Sequence, residues 1–239
     1  MIRRLVSLVS VLLVSTAAYA APCTTATAGC TEWVTLGSAP ARSLIYRTYP
    51  LDTKNEKIIR ALVMIHGAGR DADNYFRTAV AAAFLADALE DTIVIAPRFA
   101  SNDGSGCRDT LAPNEINWPC SGNSWRSGGV AVGDDRLTSY DLADEILRRL
   151  ARKDVFPNLK AIVVAGHSAG GQYTTRYEMA NQVHDTLGVP RLARGQAFAG
   201  YVNQKYGAQH TVTVIPLCGH NARCMFTAER ALPILFPKR

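Results

Sequence analysis

Two short stretches carry residues that could do chemistry together. In Gly166-His167-Ser168-Ala169-Gly170 a serine stands between two glycines at the G-x-S-x-G spacing. A serine in that pattern serves as a nucleophile when a tight strand-to-helix turn lifts its Oγ clear of the sheet, and glycines are needed where side chains would collide. The amides that follow it open a helix and can bind developing negative charge. The second stretch is His66-Gly67-Ala68-Gly69, small residues closing an apolar run, which suits a backbone donor to the same charge. We therefore expect oxyanion donors at Ala68 and Ala169 around a nucleophilic Ser168. His66 is expected to shape its loop through hydrogen bonds and not to act as the base.

A general base must follow. Three histidines lie after Ser168: His184, His210 and His220. His184 falls in a polar helical stretch and His210 begins the expected strand HTVTVIPL, so both read as surface or packing residues. His220 stands just past that run, beside Gly219 and between Cys218 and Cys224, and is the expected base. The orienting acid is not evident. After the nucleophile the acids are Glu178, Asp185 and Glu229, none of which follows an apolar strand. Asp185, or Asp134 from an upstream loop, is the remaining candidate.

The elements that must position these residues alternate. SLIYRTYP (43–50), IIRALVMIHG (58–67), TIVIAPRF (92–99) and LKAIVVAG (159–166) read as strands, the last three apolar enough to be buried. DNYFRTAVAAAFLADALE (73–90), with Asp73 as N-cap, and the amphipathic TSYDLADEILRRLARK (138–153) read as helices. Such alternation predicts an α/β fold with a mostly parallel sheet and helices on both faces. Between Ala100 and Gly133 runs a long loop rich in Gly, Ser, Asn and Asp, and loops of that length are usually functional or disordered. It carries Trp118 and Trp125, which we place on the rim of the site as substrate-binding aromatics; packing of the loop is the alternative.

The motifs IHGAGRDADNYF, IVIAPRF, GHSAGGQY and the tail GHNARCMF together resemble the α/β-hydrolase superfamily. Within it they are similar to secreted esterases of the poly(3-hydroxybutyrate) depolymerase and feruloyl esterase kind. The resemblance covers most of the chain from about Ile58 onward. It implies the chain order Ser, acid, His, and it implies two more strands and a lid region in the interval before His220. That interval is short here, and an internal segment near Pro190-Arg191 reads as missing, so fewer strands than usual are expected.

Composition bounds the rest. Residues 1–20 begin with Arg3 and Arg4, continue apolar from Leu5 to Val14 and end in Ala18-Tyr19-Ala20, which reads as a secretory signal. A spanning helix would need about 20 apolar residues, so no membrane association is expected after cleavage. Residues 21–239 then form one domain, expected to be a monomer, in a secreted or periplasmic setting. The net charge of +6 is scattered without a basic block between aromatics, which argues against nucleic acid. In an exported chain six cysteines favour disulfides, and proximity suggests Cys23–Cys30, Cys107–Cys120 and Cys218–Cys224 among several possible pairings. No metal-ligand spacing and no dinucleotide fingerprint is found, so no cofactor is expected. Two functional classes follow: a serine esterase acting on small or polymeric esters, or a hydrolase-like protein without useful turnover that binds a ligand or is internally truncated.

Overall fold

The computed structural model describes residues 21–37, 40–104, 106–121, 124–178, 200, 203, 204, 207, 209 and 211–238. The signal-like residues 1–20 and the expected missing segment near Pro190-Arg191 lie outside them.

The apolar run at Arg60–Ile65 forms β3, and every residue of it but Arg60 is buried. Earlier in the chain lie β1 (Thr31–Thr35) and β2 (Arg42–Arg47). After β3 come helix α1 (Ala72–Leu85) and β4 (Thr92–Pro97), which is buried throughout. A small antiparallel hairpin, β5 (Val130–Ala131) with β6 (Asp134–Thr138), precedes helix α2 (Ser139–Leu150). Then follow β7 (Ala161–Gly166) and helix α3 (Ala169–Glu178). Two short helices, α4 (Ala222–Thr227) and α5 (Leu232–Leu235), lie near the end.

The main sheet has the order β1-β2-β4-β3-β7. β4, β3 and β7 run parallel, while β1 and β2 are antiparallel to their neighbours. Alternate side chains on β3 and β4 go to opposite faces, as the pleat requires. Leu62, Met64, Val94 and Ala96 meet Tyr75, Phe76, Ala79 and Ala83 of α1 on one face. Ala61, Val63, Ile65, Ile93 and Ile95 meet Leu142 and Ile146 of α2 and Tyr173 of α3 on the other. Burial on both faces is why these strands read as continuous apolar runs. Helix α2 starts where expected because Asp141 accepts from both the amide and the hydroxyl of Thr138, at 2.6 and 2.8 Å, closing a capping box.

Topology locates the site. From β3 the chain crosses to β4 on one side, and the next parallel strand, β7, pairs with β3 on the other. A crevice opens at the carboxyl ends of strands where the order reverses in this way. Ile65 pairs with Gly166, so both strands end at one level and release their following loops side by side.

Some expectations are corrected. Asp71, not Asp73, is the N-cap of α1, and Asp73 sits in the first turn. β7 is only half-buried, with Ile162 39% exposed, because among the described residues no strand pairs with its outer edge. HTVTVIPL was expected to be a strand; residues 211–215 have no strand pairing and Val212 and Val214 are exposed. A strand exists only through its partner, and apolar content alone does not supply one. All six cysteines pair with their nearest neighbours, Cys23–Cys30, Cys107–Cys120 and Cys218–Cys224.

Candidate active site

Ser168 occupies the turn between β7 and α3 with φ of +59°, in the left-handed region that costs an L-residue about 1–2 kcal/mol. The flanking glycines explain how the turn can be so tight. A Cβ on Gly166 would fall 2.2 Å from the carbonyl oxygen of Gly170, and one on Gly170 would fall 2.3 Å from that of Ile65. Only hydrogen side chains fit between β3, β7 and the first turn of α3. The amide of Gly170 donates to the carbonyl of His167 at 2.9 Å and that of Gln172 to Ser168 at 3.1 Å, which fastens the turn to the helix. Ala169 is the first residue of α3, so its amide has no acceptor within the helix and is available to an anion.

The neighbouring loop leaves β3 at His66. His66 is fully buried, and its partners fix its tautomer. The Gly67 carbonyl, 2.8 Å from Nδ1, can only accept, so Nδ1 carries the proton; Nε2 accepts the Phe99 amide at 3.1 Å. Edge contacts with Trp125 and Phe99 complete its surroundings. The ring thus ties the end of β3 to the segment after β4, a structural role. Burial pushes its pKa down to about 4.

The sign of the resulting pH effect follows directly. Unfolded, His66 binds a proton near pH 6.5; folded, it does so only near 4. Between these values the unfolded chain holds more protons, so stability from this group is complete above about pH 6.5 and is lost as pH falls toward 4. The shift corresponds to about 3 kcal/mol. We expect the urea midpoint to fall between pH 7 and 4.5 more steeply in the wild type than in His66→Gln. Equal slopes would show that His66 is not held neutral.

Ala68 is exposed at the tip of this loop, and Arg70 behind it adopts φ of +56°. The Arg70 guanidinium donates to the carbonyls of Phe99 and Pro119, at 3.0 and 3.2 Å, and contacts Cys107 Sγ at 2.7 Å. It therefore staples the expected oxyanion loop to the disulfide-bonded long loop. Tyr75, in the first turns of α1, touches both motifs. Its Oη is hydrogen-bonded to His167 Nδ1 at 3.0 Å, and a Cβ on Gly67 would come within 2.9 Å of it. Burial pushes the phenol up to about 12, so it keeps its proton at neutral pH. Neither Arg70 nor Tyr75 stood out in sequence; their positions in and just after the glycine loop were the available signal.

His220 is exposed, and its ring lies against that of His167 with centroids 4.3 Å apart and planes at 34°. The structure thus brings the expected base to the residue preceding Ser168. Its loop is closed by Cys218–Cys224, turned by Gly219 at φ of +55°, and led into α4 by Asn221, whose Oδ1 accepts the Cys224 amide at 3.0 Å. Helix α4 packs on α1.

The candidate acids stand differently. Asp134, at the start of β6, accepts Arg136 with both oxygens at 3.1 and 3.3 Å, and this pairing holds its carboxyl below the usual range. Asp185 lies outside the described residues, as do His184 and His210. The rim placement of the tryptophans is corrected: Trp118 and Trp125 are 0% and 2% exposed. Trp125 stacks on Phe99 with centroids 4.7 Å apart, and Trp118 meets the same ring edge-on. A polar, cysteine-closed loop needs its own core to stay ordered, and the two indoles supply it. Among the described residues no three His, Cys, Asp or Glu gather as a metal ion would need.

A sequence profile described as the alpha/beta hydrolase family matches residues 62–216, from β3 through the Ser168 turn to the approach to His220. Among solved structures a likeness is found to poly(aspartic acid) hydrolase-1 from Sphingomonas sp. KT-1, at 19% identity and a TM-score of 0.38. It covers 62% of this chain and 49% of that one, so the chain spans about half the length of that neighbour. No curated protein matches the sequence. The five-stranded main sheet among the described residues has fewer strands than the eight usual for the fold. With its profile match extending over more than half of the sequence, the chain belongs to the alpha/beta hydrolase family.

Proposed function

We propose that the protein is a serine hydrolase that cleaves carboxylic esters through an acyl-enzyme on Ser168. The observation that carries this reading is the strained Ser168 turn, at φ of +59°, with the His220 ring seated against the adjoining His167. In the first half-reaction Ser168 Oγ attacks the ester carbonyl while His220 takes its proton. The amides of Ala169 and Ala68 receive the oxyanion. Collapse expels the alcohol, which recovers the proton from His220 and leaves the acyl group on Ser168. Water, deprotonated by His220, then attacks the acyl-enzyme; the acid is released as His220 returns the proton to Ser168 Oγ.

The substrate class rests on the resemblance to depolymerases and feruloyl esterases, and both small and polymeric esters remain within it. Ala68 and Gly69 are exposed, which suits access by a bulky chain. An exported location is part of the proposal, supported by three disulfides and the signal-like residues 1–20. No helix among the described residues is long and apolar enough to cross a membrane.

A second reading, a hydrolase-like protein that binds without turnover, is favoured by one feature. The outer edge of β7 has no partner among the described residues, and residues 211–215 do not form a strand beside it. The test is hydrolysis of p-nitrophenyl butyrate, methyl ferulate and a short hydroxyalkanoate oligomer by the oxidised chain from Ala21 onward. Turnover of at least one, lost in His220→Ala, is the expected result. A folded protein that hydrolyses none of them while binding one would favour the second reading.

A further inference from the structure

We propose that Tyr75 and His167 are a positioning pair that holds the His220 imidazole in place for catalysis, an inference that rests on the esterase reading above. Three contacts converge on His167. Its carbonyl accepts the Gly170 amide at 2.9 Å, so its backbone belongs to the nucleophile turn. Its Nδ1 is hydrogen-bonded to Tyr75 Oη at 3.0 Å, which fixes the rotation of the ring. Its face meets the ring of His220 with centroids 4.3 Å apart.

Tyr75 is itself buried. It is 6% exposed in the core between α1 and the sheet, and its phenol fills the space that a side chain on Gly67 would take. Its ring also tilts toward His167, with centroids 6.4 Å apart. The chain of contacts therefore runs from the loop after β3, through Tyr75 and His167, to His220. The same helix, α1, carries Tyr75 and supports α4, which follows the His220 loop. Helix α1 thus supports the His220 loop through Tyr75 and through α4, while the disulfide Cys218–Cys224 limits how far that loop can drift.

The consequence for catalysis is geometric. His220 is exposed, and an exposed imidazole on a loop would otherwise sample many orientations. The His167 ring tilted against it, at 34°, restricts the orientations open to the imidazole. Misplacement of a reacting group by about 1 Å can cost about 10²-fold in rate.

The test uses the oxidised, full mature chain and three variants. Tyr75→Phe keeps the ring and its packing and removes only the hydrogen bond; His167→Ala removes the ring against His220; His167→Phe restores a flat ring. We expect kcat to fall about tenfold in Tyr75→Phe and about 10²-fold in His167→Ala, with KM unchanged. His167→Phe should recover part of the loss. Wild-type kcat in His167→Ala, or equal loss in His167→Phe and His167→Ala, would overturn the proposal. Carbethoxylation of His220 by diethyl pyrocarbonate, followed by peptide mass spectrometry, reads the same contact without turnover. Its rate should rise several-fold in His167→Ala, and an unchanged rate would also overturn the proposal. If the wild type hydrolyses no ester, the esterase reading fails, and carbethoxylation alone decides whether His167 holds His220.

Discussion

Ser168→Ala is expected to lower kcat toward ester substrates by about 10⁶, the scale on which loss of a serine nucleophile abolishes acyl transfer. Its effect on stability should be small, because alanine keeps the turn's φ of +59° and loses only Oγ. Ser168→Gly should be equally inactive but more stable than Ser168→Ala by about 1 kcal/mol, since glycine adopts this conformation without a Cβ penalty. The pair separates chemistry from strain. Thermal unfolding and initial-rate kinetics on the two variants would check it. Equal stability of the two would mean that the turn relaxes in solution, and retained turnover in either would remove Ser168 from the mechanism.

Gly170→Ala is expected to abolish activity by a different route. The added Cβ would lie 2.3 Å from the carbonyl oxygen of Ile65 and 2.6 Å from that of His66, both backbone atoms at the end of β3. Neither can swing aside, so α3 must move away from the sheet and carry Ser168 with it. Overpacking of this kind costs about 1–3 kcal/mol, and displacement of the nucleophile adds a loss of about 10²-fold or more in rate. Gly171→Ala is the control. Its nearest neighbour would be the Gly166 carbonyl at 3.3 Å, a contact that a few tenths of an ångström relieves. Near-wild-type activity in Gly171→Ala beside inactivity in Gly170→Ala is the expected outcome, read by kinetics together with melting temperature. An active Gly170→Ala enzyme would show that the close approach of α3 to β3 is not needed.

These two predictions draw on the part of the molecule most legible in the sequence. β3 and β4 are buried on both faces, so their apolar runs could be read without knowing the partners. The glycines of the nucleophile turn announced a steric requirement that the 2.2 and 2.3 Å approaches make concrete. The cysteine pairs were legible because each bridge closes a short loop. What depended on distant partners was not legible. Trp118 and Trp125 looked like rim residues in a polar loop, yet Phe99, from the segment after β4, draws both into a core. HTVTVIPL has the composition of a strand, but no neighbour pairs with residues 211–215. Arg70 and Tyr75 act across 29 to 92 residues of separation, to Phe99 and His167, which no local pattern encodes.

The most direct test of the central claim, that His220 activates Ser168, is covalent labelling by a fluorophosphonate followed by peptide mapping. It would be run on the oxidised wild type, Ser168→Ala and His220→Ala. The account predicts one adduct, on Ser168, in the wild type, none in Ser168→Ala, and labelling slowed by several orders of magnitude in His220→Ala. A folded wild type that does not label, or a His220→Ala variant that labels at the wild-type rate, would contradict it.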